Sequence, residues 1–288
     1  MSVPRFSRIV VLGHTGYIGC RLAASLTRTA PGVALLGCSM TDLDLTGPAS
    51  AEALARLFDP DAAVVICAAI KKQLGDTLEV LWQNLAITST VCRALAMAPV
   101  ARVLFFSSAA VYGEDVQHGT ITEATPVQPT SYYGIGKFTA ERLLMKAAAQ
   151  HAGTSLLVLR PPLVYGPSEP GYYYGPGGFM QKTRAGASIT LWGDGRELRE
   201  FLFVDDAVDA ATRLLFGACE GVLNVVSGTS YTYLQALDAI ERLTGKRPAI
   251  ESRPRTKAQV DHRFDPSALL SACPDLAFTP LDEGLRRL

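Results

Sequence analysis

The chain has 288 residues with 27 basic and 27 acidic side chains, so its formal net charge is zero. That balance excludes a broadly basic nucleic-acid binder, and 48% hydrophobic with 19% charged residues excludes a disordered chain. The length suits one or two domains with a sizeable core. No run approaches the ~18 apolar residues of a membrane span, and glycines interrupt the N-terminal apolar stretch too early for a signal peptide.

Ile9–Leu12 is a short apolar run that stops at a glycine and reads as a buried strand. Ile18–Thr27 reads as a helix, Val33–Cys38 as a second strand, Ala49–Leu57 as a helix and Ala62–Ala69 as a third buried strand. Leu78–Ala98 has a helical period, Arg102–Phe106 is a fourth strand, Tyr132–Ala149 a helix and Ser155–Leu159 a fifth strand. Near-continuously apolar strands alternating with helices are the pattern of a parallel sheet covered on both faces. Residues 161–178 then hold five prolines and five glycines around Tyr172, Tyr173 and Tyr174, which reads as a long irregular functional loop or junction. A strand at Gly221–Val226, a helix at Tyr233–Leu243 and a last helix at Asp282–Leu288 follow. Cys20, Cys38, Cys67, Cys92, Cys219 and Cys273 are scattered without a C-x-x-C, as in a cytoplasmic protein with reduced thiols. Four histidines, none at metal-ligand spacing, speak against a metal site.

Gly13, Gly16 and Gly19 form G-x-x-G-x-x-G between the first strand and the first helix. Glycines there allow a tight turn and close approach of a pyrophosphate, and the helix N-terminus offers free N–H groups. A purely structural turn is the alternative; the strand–turn–helix context points to a dinucleotide. The second strand ends Gly37-Cys38-Ser39 with no acid for a ribose 2′-hydroxyl, and Asp42 comes late. Ser39 suits a 2′-phosphate, which favours NADP over NAD. Asp44 and Leu45 suit an adenine contact, or a helix cap.

Tyr133 and Lys137 share a helix face at i, i+4. An ammonium beside the phenol is expected to lower its pKa from about 10 and make it a proton donor or acceptor near neutrality. Ser108 follows the fourth strand, at the end of the sheet where ligands bind.

These residues carry a resemblance. GHTGYIG (Gly13–Gly19), Asp44-Leu45, CAA (Cys67–Ala69), Asn84, SSAAVYG (Ser107–Gly113), Tyr133-x-x-x-Lys137, RPPLVYGP (Arg160–Pro167), WGDG (Trp192–Gly195) and LREFLFVDDAV (Leu198–Val208) occur in that order. The chain therefore resembles the extended short-chain dehydrogenase/reductases of the NAD-dependent epimerase/dehydratase family, which act mostly on nucleotide sugars. The resemblance implies an α/β chain: a doubly wound parallel-sheet Rossmann domain over 1–165, with 200–226 returning to it, and a smaller mixed α/β substrate domain over 166–199 and 227–288. It implies Ser108, Tyr133 and Lys137 as catalytic residues. Gly13, Thr15, Gly16, Tyr17, Ile18, Gly19, Ser39, Asp44, Leu45, Ala68 and Ala69 would join Tyr133 and Lys137 on the cofactor. Lys71, Ala109, Arg199 and Arg263 would join Ser108 and Tyr133 on the substrate. Arg199, before the aromatic-x-x-V-D-D run, would grip phosphates, a task suited to a guanidinium. Asp205 and Asp206 are expected to cap the next helix.

Departures from the family pattern bear on the reaction. Dehydratases carry acids after the catalytic hydroxyl residue, where Ala109 and Ala110 stand here. Fucose-nucleotide synthases carry a cysteine there and a downstream histidine; residues 161–200 contain no histidine. C4 epimerases normally carry the acidic ribose ligand and a longer segment after the second strand. The reading is therefore NAD(P)H-dependent reduction of the C4 carbonyl of a nucleotide-linked 4-keto-6-deoxy sugar. An NAD-dependent NDP-sugar C4 epimerase (or dehydratase) is the alternative, and a non-catalytic dinucleotide sensor the remote one. The tyrosine-rich loop Gly171–Gly178 is expected over the sugar pocket, with Lys71 and Lys72 meeting the substrate or solvent. Leu163 replaces an asparagine that contacts substrate in relatives. A homodimer is expected through the helices Leu78–Ala98 and Tyr132–Ala149.

Overall fold

The computed structural model describes residues 6–70, 75–169, 175–255 and 258–288. The chain runs through β1 (Arg8–Leu12), α1 (Tyr17–Thr29), β2 (Ala34–Cys38), α2 (Ser50–Ala55) and β3 (Ala63–Ile66). It continues through α3 (Leu78–Met97), β4 (Arg102–Phe106), a 3-10 turn (Ala109–Tyr112), β5 (Thr120–Ile121), α4 (Tyr132–Ala148) and β6 (Ser155–Arg160). Next come β7 (Leu163–Tyr165), α5 (Gly175–Ala185), β8 (Ile189–Trp192), β9 (Leu198–Phe203), α6 (Val204–Phe216) and β10 (Gly221–Asn224). The last elements are β11 (Ser230–Thr232), α7 (Tyr233–Thr244), β12 (Ile250–Arg253), β13 (Arg263–Phe264), α8 (Ser267–Ala272) and α9 (Leu281–Arg286).

Six strands form one parallel sheet in the order β10-β6-β4-β3-β1-β2. The two-residue side-chain period explains their unbroken apolar runs. Ile9, Val11, Ala63, Val65, Leu104 and Phe106 enter one core with Leu22 and Leu26 of α1 and Ala211 and Leu214 of α6. Val10, Leu12, Val64, Ile66, Val103 and Phe105 enter the opposite core with Val91 and Leu95 of α3 and Ala140 and Leu144 of α4. Strand order reverses between β1 and β3, so a crevice opens at their C-terminal ends. Among the described residues no helix is long and apolar enough to cross a membrane.

A second lobe is built from β7, β9 and β11 with β8 and β12 beside them. Its own core joins Phe201 and Phe203 to Phe179, Tyr233, Leu237 and Ile240. Here several expectations change. The segment 161–178 is not wholly irregular: β7 pairs with β9, and α5 starts at Gly175. Tyr172, Tyr173 and Tyr174 lie outside the described residues. The third strand stops at Ile66, short of Ala69, because the chain there passes directly beneath the glycine loop: a Cβ built on Gly13 would lie 2.8 Å from Ala68 N. The segment assigned to the lobe over 227–288 also divides, since Leu269, Cys273 and Leu276 pack into the Rossmann core beside Leu157 and Leu223.

Asp205 and Asp206 do not cap α6. Phe203 occupies the N-cap without a side-chain bond, and both acids lie in the first turn. Asp206 instead accepts from Thr279 N at 2.6 Å and Thr279 Oγ1 at 2.8 Å, tying the C-terminal segment to α6.

Candidate active site

A cavity of about 820 Å³ runs from the N-terminus of α1 across the C-terminal ends of β3 and β4 to the second lobe. At one end Gly16, Tyr17, Ile18 and Gly19 line it. Gly13 has φ +81, a conformation that favours glycine. A Cβ on Gly19 would fall 2.1 Å from Gly13 O. No side chain caps the helix. This is a cradle that side chains would fill, and its N–H groups suit a pyrophosphate. A dinucleotide therefore fits the residues present. Thr15 lies on the exposed rim of the same turn, and Ala69 lines the cavity.

The end of β2 differs from expectation. Ser39 Oγ donates to Asp42 Oδ2 at 2.6 Å, and Ser39 N donates to the same oxygen at 2.8 Å. These bonds hold Asp42 below the usual carboxylate range. The hydroxyl read as a partner for a 2′-phosphate is thus bonded to a carboxylate. A Cβ on Gly37 would lie 2.5 Å from the His14 ring, so that ring fills the space an acid at Gly37 would take. Asp44 closes a local turn by accepting from Thr46 N and Oγ1, and Leu45 is buried in the core on the α3–α4 side of the sheet. Neither is part of the cavity lining.

Ser108, Tyr133 and Lys137 all lie on the cavity wall. Ser131 caps α4 by accepting from Gly134 N at 3.1 Å, and Asp76 accepts from Tyr133 N at 2.9 Å. These contacts fix the first turn that carries the tyrosine. Lys137 is buried and donates to Phe106 O at 2.6 Å, with its Nζ 5.9 Å from the Tyr133 ring centre. Burial lowers Lys137 to about 8, opposed by Cys67 and Glu141. The phenol does not behave as expected. Burial pushes Tyr133 up to about 12, and the hydrogen bond from Ser108 only partly offsets this. Desolvation of the hydroxyl dominates, and the charge of Glu114 adds to it. Ser108 Oγ accepts from Ala110 N at 3.1 Å, which leaves its proton for Tyr133 or a substrate oxygen. Ala109 and Ala110 line the same wall and hold no group that transfers a proton.

On the far wall Arg199 lines the cavity with its guanidinium partly committed. Nη1 donates to Leu198 O at 2.9 Å and Val260 O at 2.5 Å, and Nη2 pairs with Glu197 at 3.2 Å. Leu163 contributes an apolar surface. Arg263 is not in the site: it is exposed, while His262 and Phe264 on either side of it face the cavity. Strand alternation places a charged residue outward and its neighbours inward. Lys71 and Lys72 lie outside the described residues.

Among the wall residues that escaped the sequence reading are Glu200 and His262. Glu200 is 2% exposed, accepts from Ser227 N, and is pushed by burial to about 7. His262 is 8% exposed and held near 4 by burial and by the nearby Arg199. Glu200 follows the cavity-lining Arg199 on β9, and strand alternation would have turned it to the other face, so no signal in the sequence marked it. His262 lay one position from Arg263, with no local signal of register.

Fold and site together define a Rossmann-type dinucleotide-binding protein with a Ser–Tyr–Lys constellation over a nucleotide-sized cavity. The chain belongs to the NAD dependent epimerase/dehydratase family, whose model matches residues 9–225. It is similar to UDP-glucuronic acid decarboxylase 4 of Arabidopsis thaliana, 29% identical over 170 residues. That match takes in 57% of this chain and spans 38% of the decarboxylase's length. Among solved structures it is similar to MoeE5 in complex with UDP-glucose and NAD, with TM-score 0.82 and 27% identity over 97% of this chain and 96% of that one. It is also similar to the UDP-glucose 4-epimerase of Thermus thermophilus in complex with NAD, with TM-score 0.82 and 25% identity over 97% of each chain.

Proposed function

We propose that the protein reduces the C4 carbonyl of a nucleotide-linked 4-keto-6-deoxy hexose. The observation that carries this reading is the wall itself: Tyr133, a neutral phenol hydrogen-bonded to Ser108, and Lys137 line it, while Ala109 and Ala110 beside them offer no acid or base. A neutral phenol is the proton donor that carbonyl reduction needs. When bound, the nicotinamide supplies the hydride. Ser108 donates to the C4 oxygen, Tyr133 delivers its proton to the forming alkoxide, and the Lys137 ammonium stabilises the developing charge. Arg199 turns its remaining donors to the diphosphate.

Asp42 changes the cofactor reading. Its carboxylate holds the Ser39 hydroxyl and repels a 2′-phosphate, which favours NADH over the NADPH expected from Ser39 alone. Asp42 also supports a second reading, C4 epimerisation on retained NAD, as does the likeness to an NAD-bound 4-epimerase over nearly the whole chain. Six of the ten large exposed apolar side chains among the described residues (Leu78, Trp82, Met97, Tyr132, Ile135 and Leu143) lie on α3 and α4. This supports pairing of two copies through those helices.

The test follows absorbance of NADH and NADPH with a panel of nucleotide 4-keto-6-deoxy hexoses. Stoichiometric loss of NADH is expected, and Tyr133→Phe should slow it about a hundredfold to ten-thousandfold while sugar-nucleotide binding persists. Interconversion of C4 isomers without net loss would replace the reductase by the epimerase.

A further inference from the structure

We propose that His262 reads a hydrogen-bond donor on the C2–C3 edge of the bound hexose, a hydroxyl or an acylamino N–H, by accepting it at Nε2. The inference rests on the nucleotide-hexose reading above. His262 sits at the entry to β13, in the cavity wall, and its Nε2 is fully buried without a partner. The imidazole bonds the carbonyl of Gly113, and with Nε2 unpartnered that bond belongs to Nδ1. Nδ1 therefore carries the proton, and Nε2 presents a lone pair. Burial and the adjacent Arg199 keep the ring uncharged, so Nε2 is an acceptor only.

The backbone that carries the ring is fixed by two hydrogen bonds, and one aromatic neighbour packs against the ring. His262 N donates to Leu198 O at 3.0 Å, and Ser230 Oγ donates to His262 O at 2.8 Å. The ring stands edge-on to Phe264, with centres 6.3 Å apart and planes at 78°. A buried acceptor oriented this firmly and left unpaired is costly unless a ligand pairs with it.

Position selects the part of the ligand. Gly113 closes the turn that begins at Ser108, the residue facing the reacting C4 oxygen. Arg199 lies on the other side, where the diphosphate is held. A hexose joined to phosphate at C1 and reacting at C4 spans these two groups with two edges. One edge is C5 and the ring oxygen, which carry no donor, and C6 of a 6-deoxy sugar carries none either. The other edge is C2 and C3, the positions between C1 and C4 that bear hydroxyl or amide N–H groups. An acceptor-only nitrogen between Ser108 and Arg199 matches the second edge.

The test is isothermal titration of wild type, His262→Phe and His262→Gln with uridine and guanosine diphosphate hexoses, their 2-deoxy and 3-deoxy analogues, and the bare diphosphates. His262→Phe is expected to weaken the parent sugar about tenfold, by loss of one buried hydrogen bond. It should leave one of the two deoxy analogues and the bare diphosphates nearly unchanged. His262→Gln, which places an amide oxygen at the reach of Nε2, should restore most of the loss. Equal loss for every sugar would make His262 structural, loss shared by the bare diphosphates would put the donor on the nucleoside, and no loss would mean Nε2 is met by water; each overturns the proposal. Nitrogen-15 NMR of the four histidines checks it independently of turnover. The resonance lost in His262→Phe should show the Nδ1–H tautomer and move with the parent sugar. An Nε2–H tautomer in the free protein would sink this inference alone, whereas failure of any nucleotide hexose to bind wild type would sink the function reading with it.

Discussion

Glu141 and Glu200 are both buried carboxylates beside one cavity, on opposite sides, and their surroundings differ. Glu141, on α4 one turn after Lys137, accepts from Arg160 Nε at 2.9 Å and Nη2 at 2.6 Å, and from Ser107 Oγ. Arg160 reaches on to Tyr112 Oη at 2.9 Å, and Tyr112 donates to Asn224 at 2.8 Å. Glu200, in the second lobe, has only the Ser227 and Gly228 turn as donor and no cation among the described residues. The wall that holds Lys137 has its charges compensated within the protein. The wall that holds Glu200 and His262 keeps polar groups whose charge state responds to solution. A rigid side and a responsive side follow from that difference.

The largest expected effects would break this contrast most directly. Arg160→Met leaves Glu141 buried without its cation and should cost about 3–5 kcal/mol in denaturant unfolding. Glu200→Gln removes a carboxylate that has no counter-charge, and at pH 8 should cost far less or stabilise. Equal losses would refute the distinction between the walls.

The pH dependence sharpens it. Glu200 has its folded pKa raised from 4.5 to about 7, so the penalty for ionising it is absent below 4.5 and builds as pH rises to 7. His262 has its folded pKa lowered from 6.5 to about 4, so its penalty is absent above 6.5 and builds as pH falls to 4. Each shift corresponds to about 3 kcal/mol. The two slopes oppose one another in the wild type. His262→Gln should leave stability falling as pH rises from 4.5 to 7, and Glu200→Gln should leave it rising from 4 to 6.5. Unfolding curves across that range that superimpose for both variants would show that neither group is buried in solution.

The Rossmann half was legible because its signals are local. Gly13, Gly16 and Gly19 lie within one turn, and Tyr133 and Lys137 one helical turn apart, so spacing alone brings them together. The second lobe was not. β7 pairs with β9 nearly forty residues on, and α5 begins inside the proline- and glycine-rich segment that read as an irregular loop. Arg263 was chosen for its charge, but register decides which side chain faces inward, and the two-residue strand β13 is too short to show its period in sequence. The phenol of Tyr133 failed for a different reason. Spacing reports proximity to Lys137, whereas the pKa depends on desolvation, which only the packed site reveals.

The smallest expected effect concerns the cofactor. Asp42 is exposed, and solvent screens its charge, so its influence on a 2′-phosphate is modest. Asp42→Asn should keep the turn, since an amide oxygen still accepts from Ser39, while removing the repulsion. The KM for NADPH should then fall severalfold with the KM for NADH little changed, measured at low ionic strength and again in salt. A fall that salt abolishes identifies charge as the cause. A rise in both KM values would instead mean that Asp42 acts by holding Ser39 and the end of β2 in place, and the choice of coenzyme would pass to the His14 ring packed over Gly37.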